Sequence, residues 1–394
     1  MATSPILDPG AERLSRSAGV GRQRLAAPGL FRIDPILLLA TVGLGVCSLV
    51  AIDATTNAEL VTRQGAFFAI GLVVALLVSQ VDYSRLRELK YGVYGLMIGL
   101  IVAVIGLGGV TRGSRRAIDL GPIELQTSEL GKVLLCLALA AFLVDRSRRL
   151  DERDTTARAM LLTLFPAALV MIQPDLGSAL VYVVIVFAAL FVAGTSWRHF
   201  VGLFALGAAA IALALVVAPK LGVEVLHEYQ VERLTSFLHP SDDRGDAGYQ
   251  QNQSVIAIGS GERTGRGEEA TQTALKFLPE EHTDFIFAVV GERWGFVGAA
   301  LVLSLYALLI WRALRILTMA KNLFGAVIAG GIVAMILFQV FVNVGMNIGI
   351  MPITGIPLPL MSYGGSSVLT TLLAVGLLQS IHVQARASRK GLLT

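Results

Sequence analysis

Ten apolar stretches separated by polar connections constrain this 394-residue chain more than any other feature. Crossing a hydrocarbon core about 30 Å thick takes roughly 20 mostly apolar helical residues, since lipid offers exposed backbone N–H and C=O groups no partner. The stretches run as Ile33–Ile52, Gln64–Val81, Tyr91–Leu107, Ser128–Val144 and Met160–Ile172, then Gly177–Gly194, Phe200–Ala218, Asp284–Leu317, Leu323–Ile350 and Ser367–Val383. Composition agrees: 15% of residues are charged, against about 25% in soluble domains. The expected fold is therefore an all-α polytopic membrane protein of about ten transmembrane helices. Residues 32–385 form its membrane domain, with a large extracytoplasmic loop over 220–283 between spans seven and eight. Residues 1–31 and 386–394 are read as cytoplasmic tails, the first disordered and without the apolar run of a signal peptide.

Basic residues set the orientation. The tail, the connections near 85–90, 146–158, 198 and 312–321, and the C-terminus hold 20 of the 32 Lys and Arg. The positive-inside bias puts these connections, and both termini, in the cytoplasm. That bias also accounts for the net charge of +4 without nucleic acid, because the basic residues sit in short cytoplasmic connections. Cys47 and Cys136 both fall inside spans and read as small buried side chains, not a disulfide framework.

The opposite face carries the irregular sequence. About 64 residues from Lys220 to Thr283 lie outside the spans, and loops of that length are usually functional. Thr111–Glu129 is polar and enters span four. Gln173-Pro174-Asp175 joins spans five and six, and Met351–Ser366 holds Pro352, Pro357 and Pro359, which interrupt any helix. Irregular backbone at membrane depth needs protein or a wet cavity around it. The four elements are expected to converge on one polar cavity.

Several ionisable residues fall there, each with two readings. Glu129 and Lys132 share a helix face, as a structural ion pair locking span four or as a cation for a phosphate with Glu129 orienting it. Asp175 is a helix N-cap for span six, or a carboxylate facing a sugar hydroxyl or a divalent cation. In Glu280-Glu281-His282-Thr283-Asp284, Thr283 is expected to cap span eight and to leave Asp284 in its first turn. There Asp284 either complements the helix dipole or takes a proton from a hydroxyl. Glu292 would face Lys132 or a polar cavity. The five histidines lack ligand spacing, and carboxylates holding a hard cation would leave no signature. Gly259-Ser260-Gly261 with Gly265 and Gly267 is a loose match to a phosphate-cradling loop.

These motifs together resemble a known family. GYQQNQS (248–254), AIGSG (257–261), FLPEEHTDFIFAVVGE (277–292), SELGK (128–132), QPDLGSA (173–179) and PLPLMSYGGSS (357–367) are similar to the SEDS proteins, in order over roughly 33–385. Within that family the LKFLPE and NVGMNIGIMPITGIPLPLMSYGG stretches look more like the elongation branch, RodA, than the division branch, FtsW. The resemblance implies a peptidoglycan glycosyltransferase polymerising lipid II at the outer face of the bacterial cytoplasmic membrane. It implies Asp284 as catalytic base, and Lys132, Arg233 and Arg115 or Arg116 toward pyrophosphate. Glu129, Asp175, Gln253, Ser260, His282, Thr283, Glu292, Ser362 and Tyr363 would shape the substrate cavity. It also implies undecaprenyl-pyrophosphate-linked glycan as co-substrate, a class B penicillin-binding protein as transpeptidase partner, a divalent cation (Mg or Mn) and no organic cofactor. Ala117 stands where the family typically has Trp, Thr127 where it has Pro, Glu262 where it has Gly, and Arg293 where it often has a second acidic residue. A lipid II flippase would instead distribute ionisable groups through the spans with access from both faces, and a pure scaffold would have no use for buried Lys132, Asp175 and Asp284.

Overall fold

The computed structural model describes residues 33–55, 58–107, 117–119, 124–213, 247–270 and 280–391. The helices are α1 (Pro35–Asp53), α2 (Ala58–Gln80), α3 (Lys90–Leu107), α4 (Thr127–Asp145), α5 (Arg153–Ile172), α6 (Leu176–Ala193) and α7 (Trp197–Ala212). They continue as α8 (Ala247–Ser260), α9 (Ile286–Met319), α10 (Leu323–Asn347) and α11 (Gly365–Gly391). Two-residue strands β1 (Ile118–Asp119) and β2 (Glu124–Leu125) pair antiparallel ahead of α4. Each expected span has a helix over its described residues, span seven only as far as Ala212. Among the described residues eight are long and apolar enough to cross a membrane, while α3 is a shorter apolar helix. The chain is a multi-pass membrane protein.

The core is built around α4, buried along almost its whole length against α3, α6, α10 and α11. Small residues permit that approach, since helices in lipid associate by close van der Waals packing and polar contacts. A Cβ on Gly131 of α4 would lie 1.9 Å from the Tyr182 hydroxyl of α6, which donates to the Ser128 carbonyl at 3.2 Å. The α2–α11 contact is equally close, with a Cβ on Gly376 falling 2.8 Å from Ala75 Cα.

One end of the bundle gathers the basic connections. Asp145 closing α4 pairs with Arg87 and Lys90, and Asp154 opening α5 pairs with Arg146 and Arg158. Asp34 caps α1 through the Ile36 and Leu37 N–H groups and pairs with Arg312 of α9, while Gln379 of α11 bonds both its backbone N–H and C=O. Burial pushes the Tyr83 phenol up to about 12, so it stays neutral and donates to Asn322 at 3.1 Å.

Span eight departs from the expected single helix. α9 breaks at Gly295, whose φ of 62° and ψ of −155° belong to no helix. The turn after α8 fills the break: Glu262 O accepts from Phe296 N, Arg263 O from Val297 N, and Glu292 O from Arg266 N. A Cβ on Gly261 would lie 1.9 Å from Gly291 O, and one on Gly265 would lie 2.1 Å from Arg293 O. These glycines permit backbone to dock on backbone, which replaces the phosphate-cradle reading. Within the expected 220–283 loop, α8 is thus a packed helix against α9 and α10. The expected tail 386–394 instead continues α11 as far as Gly391, while residues 1–31 and 392–394, residues 214–218 of span seven, and residues 220–246 and 271–279 of the loop lie outside the described residues.

Candidate active site

Between α10 and α11 the chain runs without helix from Ile348 to Gly364. Three prolines and positive φ at Gly349, Gly355 and Leu360 forbid a helical ladder, so its carbonyls need partners from elsewhere. They have them. Ser48 Oγ donates to Met361 O (2.7 Å), Gln64 Nε2 to Ser362 O (3.1 Å) and Tyr306 Oη to Pro359 O (2.5 Å). Asn343 Nδ2 donates to Ile356 O (2.9 Å) and Gln251 Nε2 to Met351 O (3.0 Å). Side chains from α1, α2, α8, α9 and α10 hold this one loop.

The loop and α10 in turn pin residues 282–284. Tyr363 N donates to His282 O at 2.8 Å, Ser362 Oγ to Thr283 O at 2.6 Å, and Asn343 and Asn347 Nδ2 to Asp284 O at 3.0 and 3.1 Å. Three successive carbonyls are fixed, which holds the backbone that carries the part-buried Asp284 carboxylate. It lies over Gly355, where a Cβ would stand 3.7 Å from Oδ2 and where φ is +69°. The His282 and Tyr363 rings meet edge to face at 5.9 Å beside it.

The cap differs from expectation. α9 begins at Ile286, after Phe285, whose side chain makes no cap bond. Thr283 Oγ1 turns back to Glu280, donating to its carbonyl (3.2 Å) and carboxylate (3.0 Å). The third N–H of α9, on Ala288, is instead capped by Asn347 Oδ1 of α10 at 3.1 Å. That position is the usual target of a capping side chain. Asp284 therefore precedes the helix and is not in its first turn.

Asp175 is the N-cap of its first reading, and its second oxygen is taken up by protein donors. Oδ1 caps α6 through Ser178 N at 3.0 Å, while Oδ2 accepts from Ser128 Oγ (2.8 Å) and Gln126 Nε2 (3.3 Å) at the start of α4. Gln126 N reaches Ser366 Oγ, which donates to Glu124 O, so α4, α6 and α11 begin in one network. Gly177 then abuts the loop, with a Cβ there falling 2.9 Å from Thr354 O, one residue from the glycine under Asp284. The described parts of the four irregular elements thus meet in one hydrogen-bonded network, while residues 111–116, 120–123 and 220–246 lie outside the described residues.

Lys132 and Glu129 pair at 2.5 Å with 1% and 2% of their side chains exposed. Lys132 thus pairs with Glu129 and not with Glu292, which is fully buried on the first half of α9. Ser260 Oγ is spent on Ala257 O within α8. Gln253 is part-buried on the same helix, but its neighbours Gln251 and Ser254 make the bonds to the site, Ser254 to Asn347 O at 2.9 Å. Arg115, Arg116 and Arg233 lie outside the described residues. Sequence reasoning missed Asn343, Asn347, Gln64, Gln126, Ser128, Gln251 and Ser254. The signal for the first two was present, since two Asn four apart in an apolar span are costly unless they bond something.

Among the described residues no three His, Cys, Asp or Glu side chains converge as a metal cage. Asp175 Oδ2 already receives two donors, so the described residues do not fit a protein-only cation site.

The FtsW/RodA/SpoVE model, described as cell cycle protein, matches residues 32–387. The peptidoglycan glycosyltransferase MrdB of Escherichia coli K12 is 37% identical over 361 residues, covering 91% of this chain and 95% of that protein. The peptidoglycan glycosyltransferase RodA of Treponema pallidum is 34% identical, over 90% and 99% of the two chains. A chain from a peptidoglycan synthase complex that coordinates polymerisation and crosslinking superposes with a TM-score of 0.77 at 35% identity, over 90% of this chain and 98% of its own. The chain belongs to the SEDS family, the FtsW/RodA/SpoVE cell cycle proteins.

Proposed function

We propose that this chain is a peptidoglycan glycosyltransferase of the RodA type, polymerising lipid II into glycan strands for cell elongation. The observation that carries the reading is the placement of Asp284. It is a part-buried carboxylate on a rigid backbone, where the loop before α11, the start of α9 and the polar end of α6 meet. Relatives named as peptidoglycan glycosyltransferases match almost the whole chain.

In the proposed step the Asp284 carboxylate takes the proton of the 4-hydroxyl of an incoming lipid II. The hydroxyl oxygen forms the new bond to the anomeric carbon of the growing glycan. The bond from that carbon to the pyrophosphate breaks, and undecaprenyl pyrophosphate leaves with the electron pair. His282 and Tyr363 would border the sugar, and Ser362 and Thr283 would fix the backbone that carries the base. Lys132 is buried against Glu129, and any action of its charge on the substrate would be through space. Arg115, Arg116 and Arg233 are the proposed pyrophosphate cations, with Mg or Mn accompanying the pyrophosphate itself.

The site would open at the extracytoplasmic face of the bacterial inner membrane, with both termini cytoplasmic. The clustering of Arg87, Lys90, Arg146, Arg158 and Arg312 at the other end of the bundle supports this orientation. The domain division into tails and a 32–385 membrane body follows the same reading. A class B penicillin-binding protein is the proposed partner, supported by the likeness to a chain of a synthase complex.

The test is polymerisation of lipid II by the purified chain with its transpeptidase partner and Mg or Mn. Asp284→Ala is expected to lower glycan synthesis by about 10² to 10⁴, the usual contribution of a general base. Undiminished glycan from that variant would remove Asp284 from catalysis. Scrambling of lipid II without polymer by the wild type would favour a flippase.

A further inference from the structure

α1 and α9 run antiparallel, and their contact changes character along its length. At the basic end Arg312 pairs with the buried Asp34. Further along, a Cβ on Gly43 would meet Leu305 at 3.1 Å, so the two helices are closed on each other. Beyond that the kink at Gly295 redirects α9, and the helices part. They leave a cavity of about 410 Å³, lined by Val46, Cys47 and Val50 of α1, by Trp294, Val297 and Leu301 of α9, and roofed by Thr264. Val46, Val50, Val297 and Leu301 are each about half exposed, so the cavity opens sideways from the bundle, toward lipid.

Two arginines adjoin the lining residues in sequence. Arg293 sits on α9 between the lining residues Val290 and Trp294, and its Nη1 lies 3.5 Å from Ala54 O. Ala54 closes α1 one turn past Val50. The guanidinium is thus held at the polar end of an apolar cavity, with exposed Arg263 on the adjoining turn, whose carbonyl is bonded to Val297 N. An apolar slot beside cationic groups suits an apolar chain that ends in an anion, and among membrane lipids that anion is a phosphate.

We propose that this cavity is a binding site for an anionic phospholipid, with one acyl chain between α1 and α9 and the phosphate on Arg293. The inference does not depend on the catalytic reading, because none of these residues contributes to the Asp284 network. The apolar wall selects for a chain of any lipid, while Arg293 selects for the anionic head.

The experiment uses the full chain in neutral detergent. Retained lipid is counted by native mass spectrometry after addition of phosphatidylglycerol, phosphatidylcholine or a polyprenyl phosphate. Wild type is expected to retain phosphatidylglycerol about fivefold better than phosphatidylcholine, the effect of one cationic side chain near the surface. Arg293→Gln removes the preference and Arg293→Lys keeps it, while Val50→Phe, at a half-exposed position, lowers retention of both phospholipids. Cys47 lines the cavity and Cys136 is buried, so bound phosphatidylglycerol also slows maleimide labelling of Cys47. Equal retention of the two phospholipids by wild type, an unchanged preference in Arg293→Gln, or unaltered retention in Val50→Phe would each overturn the proposal. So would displacement of phosphatidylglycerol by an equal concentration of polyprenyl phosphate, which makes the cavity a substrate-tail site.

Discussion

Individual polar side chains inside the bundle do two different jobs, and Lys132 with Glu129 shows how to separate them. The pair is closed at 2.5 Å and almost without exposure. Removing one partner of a buried pair strands a charge and costs about 3–5 kcal/mol, whereas replacing both with neutral groups of similar volume is often harmless. Lys132→Met alone is therefore expected to lower the thermal midpoint in detergent sharply. The double variant Glu129→Gln/Lys132→Met should recover most of it. If Lys132 acts on the substrate through its charge, glycan synthesis stays depressed in the double variant despite restored stability. Recovery of both would leave the pair a purely structural lock. The sequence showed these two residues three apart on a helix but not which partner each would take, because Glu292 was an equally plausible counter-ion on spacing alone. Only the packing of α4 decides it.

At the scale of elements, the spans were legible because length and apolarity suffice to place them. The convergence of the polar connections was legible from broken helices. What failed was anything that depends on a second element. Thr283 looks like a cap for α9 on local grammar, yet the capping oxygen comes from Asn347 of α10, 59 residues from the Ala288 N–H it caps. Likewise the glycines after α8 read as a phosphate loop until α9 is seen breaking at Gly295 to receive them. The same backbone docking gives an expectation for Gly265, whose φ is +85° and whose Cβ would overlap Arg293 O at 2.1 Å. Gly265→Ala must open the turn away from α9, stranding the Phe296 and Val297 N–H groups that Glu262 and Arg263 now satisfy. Faster hydrogen exchange at Phe296 and Val297, with exchange in the α4 core unchanged, is the expected signature. Unchanged exchange at both amides would mean that the kink holds without the turn. At Asn347, Asn347→Leu removes the cap and two donors while keeping the volume apolar. Glycan synthesis should fall by at least tenfold through misplacement of Asp284, a scale typical when a reacting group shifts by about 1 Å.

Over the whole molecule the two ends of the bundle divide stability from chemistry. Asp34 is fully buried where α1, α9 and α11 meet, bonded by Arg312 through its carboxylate and by Gln379 through its backbone. This joins the first described helix to the last. The Asp34-Pro35 pair is a cap followed by proline at the first helical position, a start signal visible in the sequence. Its counter-ion nearly 280 residues away was not visible. α1 alone is 19 residues, so this junction stands about 28 Å from the polar face by helical rise. A perturbation here should reach the chemistry only by loosening the bundle. Arg312→Leu leaves the Asp34 carboxylate buried without its cation and is expected to lower the thermal midpoint by an amount corresponding to about 3–5 kcal/mol. Asp34→Asn/Arg312→Leu removes that charge but keeps an N-cap oxygen, and should regain most of the loss. Below the lowered midpoint, turnover per folded molecule and the apparent KM for lipid II should match wild type in both variants. A changed KM in a fully folded Arg312→Leu sample would show instead that α9 transmits strain across its Gly295 break, from the basic end to Asp284.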